Sequence, residues 1–131
     1  MDIIVTTPEG EIKNAALESE QIKSIGSGNY FRYLGRNKPS TINEGDKIYY
    51  VEDGYIRGFC IINKITRAPF ADCNTTGKRW RIGWYTIMDA TTWQWIKPIE
   101  HKGFQGWRYL NDIYKKKVEV AGNWLDPKPI I

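Results

Sequence analysis

Within Gly103-Phe104-Gln105-Gly106-Trp107-Arg108, six consecutive positions hold two glycines, two large rings, an amide and a guanidinium. Glycines let a backbone approach a ligand closely. A Gln amide can pair with a base edge, and Trp and Arg supply stacking and charge. Similar chemistry recurs in Lys78-Arg79-Trp80-Arg81-Ile82-Gly83-Trp84, where three cations interleave with two indoles. A third cluster is the loop from Gly35 to Thr41, in which Arg36 and Lys38, with Arg32 nearby, follow the aromatic run that begins at Tyr30. Cations that grip phosphates beside a ring that stacks on a base are the working parts of nucleic-acid recognition. On this reading Arg32, Arg36, Lys38, Arg79 and Arg81 contact phosphates. Tyr30, Trp80 and Trp107 stack, Gln105 reads an edge, and Arg108 adds charge. Each cluster also has a plainer reading: a solvated charged loop, a strand that turns Trp84 to the core, or a turn that packs Phe104 and Trp107 on the end of a barrel.

Enzymatic constellations are thin. His101 is the only histidine, so neither a His-based metal site nor a catalytic triad can be assembled around it, and it reads as an ordinary loop residue. There is no phosphate-binding Gly-rich loop, no dinucleotide fingerprint and no C-x-x-C pair. Cys60 sits mid-strand as a small buried thiol, and Cys73 stands apart from it. No metal and no cofactor are expected. Asp46, Glu52 and Asp53 lie beside Gly45 and Gly54, where turns use such residues in any case.

A chain of 131 residues reads as one domain spanning 1–131. Its formal charge of +4 suits a polyanionic partner without demanding one. No apolar run approaches the roughly 18 residues of a membrane span, and no basic-then-apolar leader opens the sequence. A cytosolic protein with reduced cysteines and no membrane partner is the expectation.

The element that must position these residues is a hairpin, Lys47 to Ile62, closed by an Asp53-Gly54 turn of type I′. A regular ladder would set Glu52 opposite Tyr55, Val51 opposite Ile56, Tyr50 opposite Arg57, Tyr49 opposite Gly58 and Ile48 opposite Phe59. One face would then carry Tyr49, Val51, Ile56, Cys60 and Ile62, and the other Ile48, Tyr50, Phe59 and Ile61. Both faces are apolar, which places the hairpin centrally in a covered sheet. Further strands are expected over 2–7, 29–34, 79–88, 93–96 (ended by Pro98) and 118–120. A helix is expected over 9–24, behind Thr7 and Pro8, and a short one over 106–114. The sum is an α+β, mostly β domain: an open barrel of about six strands with flanking helices.

The segment Ile42-Asn43-Glu44-Gly45-Asp46-Lys47-Ile48, with the hairpin return carrying Gly58, resembles the strand entry of the small PUA-like β-barrels, particularly their ASCH and EVE branches. The likeness covers roughly residues 29 to 110. It implies a PUA-like open barrel that binds RNA or DNA, RNA being the more expected partner, with a base or modified base held in a cleft between barrel and helix. Some ASCH members are enzymes on RNA or modified nucleosides. Their G-x-K-x-x-E-x-R motif is absent here, and an enzyme of this kind would centre on Lys38 and Thr41 with Glu52 or Glu100 as the carboxylate. The third reading is a protein-interaction module that uses the aromatic surface.

Overall fold

A computed structural model describes residues 1–7, 29–38, 40–68 and 82–122. In chain order the elements are β1 (Ile3–Thr6), β2 (Asn29–Gly35), β3 (Lys47–Glu52), β4 (Tyr55–Ala68), β5 (Gly83–Glu100), β6 (Trp107–Tyr109), helix α1 (Asp112–Lys115) and β7 (Val120–Ala121). The helix expected over 9–24 lies outside the described residues, as do Cys73 and the cluster Arg79, Trp80 and Arg81.

Asp53 and Gly54 adopt φ values of 51° and 80°, the left-handed pair that a type I′ turn requires. The hairpin they close keeps its expected register only at the tip. Glu52 faces Tyr55 and Val51 faces Ile56, but Tyr50 then faces Gly58, Tyr49 faces Phe59 and Ile48 faces Cys60. Arg57 is the extra residue of a β-bulge, and everything on β4 beyond it moves to the opposite face. Phe59 therefore packs with Tyr49, Val51 and Ile56, while Cys60 and Ile62 pack with Ile48. The expected faces are thus corrected, although both sides of the hairpin are apolar as anticipated.

The six main strands run in the order β2-β5-β4-β3-β1-β6, with β3 and β4 in the interior. The early strand β1 is integral because it pairs in parallel with β3 and antiparallel with β6. β5 is a single strand of 18 residues where the sequence suggested two. It stays continuous because its irregularities fall in bulges. Between the pairs Phe59↔Gln94 and Ile61↔Asp89 the register shifts, and Ala90, Thr91, Thr92 and Trp93 of β5 stand against Cys60 alone. The Thr92 hydroxyl fills the gap: it accepts the Ile61 N–H at 2.9 Å and donates to the Asp89 carbonyl at 2.6 Å. Pro98 does not end the strand. It sits between the pairs Gly58↔Trp95 and Ile56↔Ile99, where no ladder bond needs its missing N–H.

These bulges bend the sheet into a curled half-barrel. On the concave side Leu34, from the edge strand β2, and Ile42, from the loop before β3, share a buried cluster with Ile3, Val5, Ile48, Cys60, Ile62, Met88 and Trp93. The loop before β3 is tied to the edge strand β6 where the Thr41 N–H donates to the Tyr109 phenol oxygen at 3.2 Å. The convex side carries a second cluster of Ile4, Tyr49, Val51, Ile56, Phe59, Ile96 and Leu110. It is covered by Phe104, Tyr114 and Val118 from the chain between β5 and β7. Trp84 packs against the concave cluster, and Cys60 is a buried free thiol.

The helix expected over 106–114 is replaced by β6 and a single helical turn. Trp107 to Tyr109 are drawn into the sheet by the open edge of β1, pairing Ile4 with Arg108. The helix begins only after Asn111, whose side chain accepts the Ile113 N–H at 2.9 Å as an N-cap. The last strand is Val120–Ala121 rather than 118–120, and it pairs with Trp95 and Ile96 of β5.

Candidate functional site

Residues 101–106 cross from β5 to β6 and are held at both ends. The His101 N–H donates to the Gly54 carbonyl at 2.8 Å, tying the loop to the hairpin turn. The Phe104 N–H donates to the Thr6 hydroxyl at 3.1 Å, tying it to β1. Gly106 has φ +77°, a left-handed conformation that turns the chain into β6. Its glycine is explained by the turn itself. A side chain at Gly103 would meet only Thr6, with Cγ2 at an ordinary 3.4 Å and Oγ1 at 3.9 Å.

Strand alternation then divides the expected binding segment. On β6, Trp107 and Tyr109 turn to the concave cluster, their rings edge to face at 5.0 Å. Arg108 turns the other way, its guanidinium 4.4 Å from the centre of the Phe104 ring. The convex side of the loop forms an open cleft of about 690 Å³, lined by His101, Lys102, Phe104, Gln105, Arg108 and Tyr114 among others. Two of its lining residues are cations, three carry rings of the loop and helix, and none is acidic.

His101 is the centre of the ring cluster, 4.7 Å from Tyr114 and 5.6 Å from Phe104 between centroids. Its Nδ1 lies 2.8 Å from the Lys102 carbonyl. A carbonyl can only accept, so this hydrogen bond requires the proton on Nδ1. Phe104 and Tyr114 are half-buried, each rooted in the convex cluster. Lys117 places its ammonium 5.8 Å from the Tyr114 ring centre.

Of the residues singled out in sequence, Gln105 and Arg108 meet in this cleft. Trp107 lies on the opposite face of the sheet. Arg36 and Lys38 are exposed in the loop after β2, with the Lys38 ammonium 5.5 Å from the Trp84 ring centre. Arg32 is half-buried on β2 opposite Thr86, and Tyr30 is described only by its backbone pairing with Met88. The residues proposed for catalysis are dispersed over several elements. Thr41 is engaged with Tyr109, whose phenol its hydrogen bonds hold below the ordinary tyrosine range. Glu52 is buried at the hairpin tip, and Glu100 is exposed, paired across the ladder with Tyr55. Among the described residues no group of three His, Cys, Asp or Glu side chains could hold a metal ion.

Sequence reasoning missed His101, Lys102, Phe104 and Tyr114 as members of one cleft. The signal was the density of ring and cation types over 101–108; what it lacked was the helix that brings Tyr114 back onto His101. No helix of the described residues is long and apolar enough to cross a membrane. Comparison with family models, with curated proteins and with solved structures finds no match.

Proposed function

We propose that this chain is a nucleic-acid-binding module of the PUA-like kind, with the convex cleft as its binding site. The carrying observation is the lining of that cleft: Lys102 and Arg108 beside the rings of His101, Phe104 and Tyr114, with no carboxylate among the lining residues. Cations supply the sequence-independent grip on phosphates, and rings at the same place give a base somewhere to stack. Gln105 and Asn111, at the rim, offer amides to a base edge. The cleft lies between the sheet, at Ile4, and helix α1, at Tyr114, which is the kind of location the PUA-like resemblance implies. Its volume falls in the range of roughly 300–1,000 Å³ typical of small-molecule sites, so it suits one nucleotide, modified or not, rather than the width of a duplex. RNA is the preferred partner on the resemblance alone.

Fluorescence anisotropy with labelled RNA and DNA at low and moderate salt tests this directly. Binding should weaken steeply with salt, with a log–log slope of about −0.7 per phosphate contacted for a single strand. The double variant Lys102→Gln, Arg108→Gln should lose more than tenfold in affinity at low salt. Absence of binding at low salt, or an affinity flat across salt, overturns the proposal.

A further inference from the structure

We infer that the cleft selects unpaired nucleotides, and that Arg108 and Lys117 serve as exchangeable covers for the rings on which bases stack. The inference rests on the nucleic-acid reading above and adds the class of nucleic acid and the way it is admitted.

Phe104 and Tyr114 are each half-buried, with their apolar bodies anchored in the convex cluster. Neither lies parallel to His101: the interplanar angles are 63° and 55°. The imidazole therefore does not fill the ring faces by stacking. What stands near each ring instead is a cation, Arg108 at 4.4 Å and Lys117 at 5.8 Å. Lys117 is held close because its backbone N–H donates to the Tyr114 carbonyl at 2.9 Å. An exposed cation–π contact is weaker than base stacking on an aromatic ring. An incoming base can therefore displace the cation, and the displaced side chain is left within its own length of the phosphate belonging to that base. Each side chain thus serves twice, covering the ring when the cleft is empty and holding phosphate when it is filled.

A duplex cannot make this exchange. Its bases are already stacked and paired, and extruding one costs free energy. It would meet Lys102, Arg108 and Lys117 through phosphates alone, as would any linear polyanion.

The test compares three probes over the same salt series: a short unstructured RNA, a duplex of the same length, and inorganic polyphosphate. The single strand should bind about tenfold more tightly than the duplex, the order expected from one stacked base. Phe104→Leu should weaken that preference and the double variant Phe104→Leu, Tyr114→Leu should remove it, while polyphosphate, which stacks on neither ring, still binds; Tyr114→Leu alone serves should Phe104→Leu fail to fold. Arg108→Met should keep the preference and reduce the salt slope by about 0.7. Equal affinity for single strand and duplex overturns the inference and leaves nucleic-acid binding standing. Loss of polyphosphate binding in Phe104→Leu also overturns it, because the ring would then only position Arg108. Binding to polyphosphate without binding to either nucleic acid overturns both readings.

Discussion

Gly58→Ala probes a close approach between β4 and β5. A Cβ at this position would stand 2.5 Å from the Gln94 carbonyl oxygen and 2.7 Å from Trp93 Cζ2, against the 3.4 Å at which ordinary contact begins. The first of these atoms is backbone, in the strand paired through Phe59↔Gln94 and Gly58↔Trp95, so it cannot swing aside. The second belongs to an indole that is 7% exposed and is braced by Trp95 at 5.1 Å and Tyr50 at 5.6 Å. Overpacking of this kind costs about 1–3 kcal/mol, with the upper end expected where backbone must move. The smaller conformational freedom of the unfolded Ala chain returns about 0.4–1 kcal/mol. The net loss should be about 2 kcal/mol, a fall in Tm of about 5–10 °C for a domain of this size. Urea unfolding followed by Trp fluorescence and far-UV circular dichroism measures it, with Gly122→Ala, which meets nothing within 4 Å, as the control. A Gly58→Ala protein within about 0.5 kcal/mol of the parent would refute the close approach of β4 and β5 and, with it, the bulged register.

Thr92→Val removes the hydroxyl that accepts the Ile61 N–H; an orphaned, partly buried donor should cost about 1–3 kcal/mol in urea unfolding, and an unchanged midpoint would show that the bulge needs no plug. Gly54→Ala places a side chain at φ +80° in the hairpin turn and should cost about 1–2 kcal/mol, read as a lower Tm with an unchanged m-value. Burial, with the charge of Asp2 second, pushes the Tyr49 phenol up to about 12, against about 10 in the unfolded chain. The unfolded state therefore loses this proton first. The associated stability, about 3 kcal/mol, is intact below pH 10 and drains away as pH rises towards 12. Tyr49→Phe should flatten that alkaline loss, and an equally steep loss in the variant would assign it to other groups.

Much of the core was legible in local pattern. The Asp53-Gly54 turn could be read because positive φ at two successive positions selects those residue types. The apolar character of both hairpin faces implied an interior place in the sheet. The buried thiol at Cys60 and the packing of Trp84 followed from the company each keeps. The bulge at Arg57 was not legible, because one extra residue leaves no mark on composition yet reverses every later side chain on β4. Nor was β6. Three residues with mixed periodicity become a strand only because β1 offers an open edge.

The sequence by itself determined that the chain would be mostly β, built around this hairpin, and that cations and rings would be concentrated over 101–108. Turn preference and alternation act between neighbours, so they can be read from neighbours. Tertiary structure decided which of those groups share a surface. It sent Trp107 inward and Arg108 outward and placed Lys38 beside Trp84. It also folded Tyr114 back onto His101 to complete a cleft lined by residues of 101–114 and by Ile4 of β1. The physical reason is that a site is assembled from the faces of several strands, and which face a residue occupies depends on the bulges and edges that the whole sheet imposes.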